Sequence, residues 1–325
     1  MSSLDDDDGT IDAVLVIGEA LVDIVQHGDE VISRPGGSPA NVALGLARLG
    51  LPTRLHTALA PDAAGERIAR HLLDAGVAIE PSSYALDRTS TAIARLDAHG
   101  SATYDFDIEW RLDGQPALAD ASVVHAGSLG LFLDPGADVV LESLHVMRGH
   151  ALISIDPNIR PALLPDRLAT RERFEQFADI VDLVKLSDED AAWLYPDASI
   201  DAVLDRLLEL GVPLVAVTAG KRGALLATSG CRVAVDGVAV DVRDTIGAGD
   251  SFMAALLAGV RRAAVPLGAL DSADLDRLGG YAAAAAAVTV GRVGADLPHA
   301  IDIERMQRTA TIERCTTDSI GTVVW

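Results

Sequence analysis

The densest chemistry in this chain lies in Asp244-Thr245-Ile246-Gly247-Ala248-Gly249-Asp250-Ser251-Phe252, which runs into a helix-forming stretch over 253–262. Glycines just ahead of a helix leave its first N–H groups uncovered at the positive end of the helix dipole, a ready anion site. They also let backbone approach an oxyanion closely. Asp250 falls in the first turn of that helix. A carboxylate beside an anion hole suits a base that draws a proton from an attacking hydroxyl. Attack of a hydroxyl on a terminal phosphoryl group needs both parts. The same residues are compatible with a capped turn and no chemistry at all. They complete neither the P-loop pattern nor the dinucleotide-binding glycine fingerprint.

Such a turn needs a scaffold. Apolar runs at 13–18, 122–126, 151–155, 181–186 and 214–218 read as strands. Helical stretches at 40–49, 136–147, 171–177 and 202–210 separate them. Uniformly apolar strands alternating with helices predict a mostly parallel sheet covered on both faces, hence an α/β fold. Two segments break the rhythm: 21–33 and 91–108 alternate β-branched or aromatic residues with polar ones and lack neighbouring helices. They are expected as half-buried antiparallel strands, with a hairpin turn at Ala98-His99-Gly100, forming a small flap able to close over a ligand. Tyr104, Phe106 and Trp110 are expected to pack that flap or a partner subunit.

The 325 residues are 49% hydrophobic and 23% charged, enough for a large core. A net charge of −22 disfavours nucleic acid or an anionic membrane as partner, while leaving room for a phosphorylated ligand in one locally positive pocket. The two cysteines, Cys231 and Cys315, match no metal or redox spacing. Four consecutive acids, Asp5 to Asp8, stand where an export signal would need positive charge. The apolar helical stretches are too short to span a bilayer. The expectation is a cytoplasmic protein with a solvated acidic arm over 1–12, one body over 13–310 with insertions near 21–35 and 89–110, and a tail over 311–325.

Asp244 to Phe252 resembles the carboxy-terminal signature of the ribokinase-like (PfkB) carbohydrate kinases. Gly36-Gly37-Ser38-Pro39-Ala40-Asn41-Val42-Ala43 resembles their amino-terminal signature, preceded by Gly18-Glu19-Ala20-Leu21-Val22-Asp23. Asp156-Pro157-Asn158-Ile159-Arg160, Lys185-Leu186-Ser187-Asp188-Glu189-Asp190 and Val217-Thr218-Ala219-Gly220-Lys221-Arg222-Gly223 follow in family order. The pattern as a whole looks most like the fructokinase branch. The resemblance implies a three-layer sandwich with a small β-sheet lid. The implied activity is transfer of the γ-phosphoryl of ATP to a sugar hydroxyl, with Mg²⁺ and, in some relatives, K⁺. Fructose is the first expected acceptor; ribose, 2-keto-3-deoxygluconate and nucleosides are the alternatives within the family. A homodimer through the lid is also implied.

By the same resemblance Asp250 is the catalytic base, and Gly247, Ala248 and Gly249 offer N–H groups to the γ-phosphoryl oxygens. Asp23, Gly36, Gly37 and Asn41 bind the sugar, and Arg160 the sugar or the transferring phosphate; Asn41 could instead cap its helix, and Arg160 could instead pair with Asp156 or a nearby acid. Lys185, Ser187, Thr218, Gly220 and Gly223 match nucleotide-contacting positions, with Lys221 or Arg222 near the phosphates. Where the family commonly has Asn-x-x-Glu, this chain has Ser187 through Asp190. Asp190 then becomes the residue to order water around Mg²⁺, and Asp244 the one beside a monovalent cation. Two readings lie outside the kinases. Ala126-Gly127-Ser128-Leu129-Gly130 resembles a hydrolase nucleophile elbow with Ala in place of its first Gly. A non-catalytic sugar sensor on the same fold is the other, against which the retained Asp250 argues.

Overall fold

The computed structural model describes residues 13–28, 30–96, 102–263 and 265–309. Strand β1 (Ala13–Ile17) lies inside a nine-stranded sheet, and all five of its residues are buried. Val14 and Val16 face one core and Leu15 and Ile17 the other, as the two-residue period of a strand requires. After β1 the chain forms a hairpin, β2 (Leu21–His27) and β3 (Glu30–Gly36), then α1 (Ser38–Arg48). Next come β4 (Thr53–His56), α2 (Ala63–Asp74) and β5 (Val77–Ile79), followed by a second pair, β6 (Thr91–Leu96) and β7 (Ala102–Asp107). The remainder alternates: β8 (Ala121–Gly127), α3 (Gly136–Met147), β9 (Leu152–Asp156), α4 (Arg167–Ala178), β10 (Leu183–Ser187), α5 (Asp188–Leu194), α6 (Ile200–Glu209) and β11 (Leu214–Thr218). Strands β12 (Ala224–Ala227) and β13 (Arg232–Val235) precede the two closing helices α7 (Ala248–Ala263) and α8 (Ser272–Val290).

The large sheet has the order β13-β12-β11-β10-β9-β8-β1-β4-β5; the seven strands from β11 to β5 along that order pair in parallel, and β12 and β13 are added to β11 by successive antiparallel pairings. Helices α1, α2, α7 and α8 pack Val42, Leu46, Ile68, Leu256 and Leu278 on one face. Helices α3 to α6 pack Leu144, Phe174, Phe177, Leu194 and Leu204 on the other. The result is the helix–sheet–helix sandwich that the alternating sequence predicts. Chain order reverses at β1, which has β4 on one side and β8 on the other. In open α/β sheets ligands bind beyond the carboxyl ends of strands at such a switch point.

The second sheet has the order β3-β2-β6-β7. Its hairpin pairs are antiparallel as expected, but β2 and β6 join them in parallel, with Asp23 opposite Ala92. Trp110 does not belong to this sheet. It is buried in the main core, and a Cβ on Gly136 would come within 2.5 Å of its indole, so those two residues are packed face to face. Phe106 is half-buried within β7. The expected turn at Ala98-His99-Gly100, the Tyr104 side chain, the acidic arm and the tail over 311–325 lie outside the described residues.

Candidate active site

Two helices begin at the same place. Gly247, at φ +79°, turns the chain into α7; a Cβ there would come within 2.8 Å of Ala295. Gly37, at φ +104°, turns the chain into α1, and a Cβ on it would lie 2.5 Å from the Glu19 carbonyl oxygen. Only glycine tolerates both the positive φ and that crowding. Pro39 in the first turn of α1 fits the fixed φ of a helix start.

Asp250, in the first turn of α7, is 8% exposed. Ser38 Oγ donates to its Oδ1 at 2.6 Å, and Asn41 Nδ2 donates to its Oδ2 at 2.8 Å. Asn41 therefore reaches across to α7, while Gly37 takes the N-cap position of α1 without any side-chain cap bond. Two helix N-termini thus converge on one carboxylate, each favouring negative charge there.

Beneath the α7 turn lies a buried ion pair. Lys185 Nζ stands 2.7 Å from Asp156 Oδ2, and the two side chains are 5% and 1% exposed. A Cβ on Gly249 would come within 3.0 Å of Lys185 Nζ, which places the ammonium directly under the glycine turn. Burial works against the charge on Lys185, but Asp156, with Asp190 and Asp250 farther off, holds its pKa above the usual lysine value. Burial raises Asp156 to about 6 against the pull of Lys185. Its second oxygen, Oδ1, has no hydrogen-bond partner among the described residues. The salt bridge considered between Arg160 and Asp156 is not the one formed; Lys185 occupies that carboxylate.

The other wall comes from the ends of β1, β8 and β9. Glu19 is buried and accepts from Gly130 N at 3.3 Å. Burial lifts its pKa to about 7, with Ser128, Arg160 and the Gly130 amide opposing. Ser128 and Asn158 both adopt positive φ, 55° and 37°, conformations that non-glycine residues rarely hold. Arg160 is exposed, its Nη1 3.2 Å from the Ile159 carbonyl. Asp23, on β2, is exposed to solvent. Protein around it raises its pKa to about 6; Arg160 opposes that rise and Asp250 adds to it. A Cβ on Gly36 would fall 1.9 Å from Asp23 Oδ2, so the glycine makes the space this carboxylate occupies.

The expected nucleotide side follows β10 and β11. Ser187 caps α5, accepting from Asp190 N at 2.9 Å, while Asp190 Oδ2 accepts from Ser187 N at 3.0 Å. Asp190 Oδ1 accepts from Ile159 N at 2.8 Å, so this carboxylate ties α5 to the segment after β9. Thr218 ends β11, and Gly220 follows at φ +53°. Gly223, buried at φ +93°, leaves no room for a side chain: a Cβ would lie 1.9 Å from the Val235 carbonyl oxygen. Lys221 and Arg222 are exposed, and Arg222 pairs with Asp188. Asp244 Oδ1 accepts from Ile246 N at 3.0 Å and Oδ2 from Gly294 N at 2.8 Å, fixing the loop ahead of Gly247.

The structure thus gathers Asp250, Asn41, Gly249 and Lys185 around one point, with Asp23 and Arg160 coupled to the same cleft by charge. Thr218, Gly220 and Gly223 lie along the adjoining strand end. Ser38, Glu19 and Asp156 join the cleft without having been singled out from sequence. Ser38 and Glu19 stand within the glycine-containing stretches read above, but the 212 residues separating Ser38 from Asp250 carry no sign of their contact. The hydrolase reading finds no support. Ser128 does sit on a strained turn, but Asn158 Nδ2 donates to its hydroxyl at 3.5 Å, and His125 directs Nδ1 to Ser154 at 3.0 Å.

Comparison with known proteins agrees with this geometry. Residues 11–301 match the pfkB family carbohydrate kinases. A fructokinase of Rhizobium leguminosarum bv. trifolii is 32% identical over 260 residues, covering 76% of this chain and 79% of that protein. The crystal structure of a Xylella fastidiosa fructokinase with bound ATP superposes with a TM-score of 0.82 at 25% identity, covering 93% of this chain and 99% of that one. A double mutant of Vibrio cholerae fructokinase, bound to fructose, ADP and potassium, gives 0.78 at 26% identity, covering 91% of this chain and 98% of that one. The chain belongs to the pfkB family of carbohydrate kinases.

Proposed function

We propose that this kinase transfers the γ-phosphoryl group of ATP to a primary hydroxyl of fructose. The observation that carries the reading is Asp250, a buried carboxylate at the mouth of α7 beside a glycine turn. Asp250 takes the proton of the attacking hydroxyl as the oxygen approaches phosphorus. The N–H groups of Gly247 and Gly249 and the ammonium of Lys185 meet the charge on the transferring group, already in place before reaction; the Ala248 N–H, which donates to the Thr245 carbonyl at 3.3 Å, joins them by exchanging that partner. Asp23, Arg160 and the backbone at Gly36 and Gly37 hold the sugar so that one hydroxyl faces Asp250, with Asn41 bridging the two. The strand end at Ser187, Thr218, Gly220 and Gly223 receives the nucleotide. The small sheet, whose β2 carries Asp23, closes as a lid and excludes water.

Among the described residues no three acidic, histidine or cysteine side chains converge to hold a metal by themselves. That fits Mg²⁺ arriving on the phosphates of ATP with several of its own waters. Asp190 can hold one such water through its remaining lone pairs, and Asp244 with neighbouring carbonyls is the place for K⁺. Among the described residues no helix is long and apolar enough to cross a membrane. Val31 and Ile32, 59% and 41% exposed on the edge strand β3, support pairing of two lids in a homodimer.

A panel of fructose, ribose, 2-keto-3-deoxygluconate and a nucleoside, each with Mg²⁺-ATP and coupled ADP detection, tests the assignment. The highest kcat/KM is expected for fructose, with the product a phosphate monoester by ³¹P NMR. A higher value for another acceptor would move the substrate within the family; sugar binding without ADP formation would make the protein a sensor.

A further inference from the structure

The family reading gives Asp250 a task but does not say what holds it. A carboxylate in the first turn of a helix is free to rotate about χ1 and χ2, and a base that must meet one hydroxyl cannot afford that freedom. Here the helix that fixes it is α1, not α7. Ser38 is buried, in the first turn of α1, and its Oγ lies 2.6 Å from Asp250 Oδ1. Asn41, one turn on, holds Oδ2. The hydroxyl of Ser38 is a donor to a carboxylate within the short range of charge-assisted bonds. Gly37 lets α1 start close enough for this, since its Cα packs against the Glu19 carbonyl where a side chain would not fit.

From this geometry we infer that Ser38 is a positioning residue for the phosphoryl transfer: it pins one oxygen of Asp250 so that the other lies ready for the sugar hydroxyl. The two donors differ in what a substrate can replace. Asn41 is half-buried and its amide can exchange partners with a sugar hydroxyl. Ser38 is enclosed, so its bond persists when the sugar enters. The inference rests on Asp250 being the base, and the experiment separates the two claims.

The test is a double-mutant cycle in the full-length enzyme, with kcat and KM measured for fructose and ATP. Ser38→Ala is expected to lower kcat by about 10- to 100-fold, the size of one hydrogen bond to a charged group, while KM for ATP changes less than about twofold. In an Asp250→Asn background the same substitution is expected to change the residual rate by less than about twofold, because Ser38 acts only through the carboxylate. Ser38→Thr, which keeps the hydroxyl, is expected to recover most of the lost turnover. An equal loss from Ser38→Ala in both backgrounds, or no loss in the first, would overturn the inference. If Ser38→Ala does not fold, the near-isosteric Ser38→Cys is read in the same way. Normal turnover in Asp250→Asn would instead remove the base assignment on which the inference stands.

Discussion

Lys185 Nζ sits 2.7 Å from Asp156 Oδ2 in a buried pair directly beneath the glycine turn that opens α7. One of the two lysines in the chain is thus placed beside the turn to which the proposed reaction would bring a phosphoryl group. Its partner keeps the ammonium charged and aimed.

Replacing Lys185 by Met removes that charge and leaves Asp156 buried without a counter-ion. Breaking a buried pair from one side costs about 3–5 kcal/mol. The expected outcome is a loss of that order in urea unfolding near neutral pH, together with a lower kcat. As pH falls and Asp156 takes up a proton, the stability loss should shrink. A stability loss independent of pH would show that Lys185 is not compensating a buried charge.

Gly36→Ala tests the floor of the sugar site. The added Cβ would land 1.9 Å from Asp23 Oδ2, so the carboxylate must swing away. KM for fructose should rise by about tenfold or more, the size of one or more lost hydrogen bonds to a charged group, while KM for ATP stays within about twofold. Steady-state kinetics with each substrate varied in turn gives the answer; equal effects on both would place Asp23 outside the sugar contacts.

Glu19 makes folding stability depend on pH. Burial lifts its pKa in the folded chain to about 7, above the 4.5 of an exposed glutamate. The folded state therefore holds the proton more tightly than the unfolded state. Glu19 contributes stability that is fully present below the ordinary value and is lost as pH rises through the folded one. Glu19→Gln abolishes that loss. Its melting temperature relative to the parent should rise between about pH 5 and about pH 8; a constant difference across that range would contradict the buried, proton-binding carboxyl.

Much of this was written locally in the sequence. Strands β8, β9 and β11 are mostly apolar because both faces are covered, with His125, Ser154 and Asp156 the buried polar exceptions, and such runs stand out between polar helices. The turn before α7 was legible for a similar reason: positive φ at Gly247 and the dipole of α7 are local properties of Gly247-Ala248-Gly249-Asp250. The parallel join of β2 to β6 was not legible, since alternation reports one buried face but not which distant strand lies alongside. Trp110 misled because an aromatic next to a β segment has the same local pattern whether it packs that sheet or, as here, Gly136. Ser38 and Asp156 acquire their roles only through partners on other elements, Asp250 and Lys185, and no spacing within one segment could reveal them.

In the proposed reaction the carboxylate of Asp250 takes the proton of the acceptor hydroxyl. Turnover of Asp250→Asn with saturating fructose and Mg²⁺-ATP, on protein whose circular dichroism and melting match the parent, tests it most directly. A fall of about 10²–10⁴-fold in kcat is expected for loss of a positioned general base. Turnover within about threefold of the parent would contradict the account, since loss of such a base should be far larger.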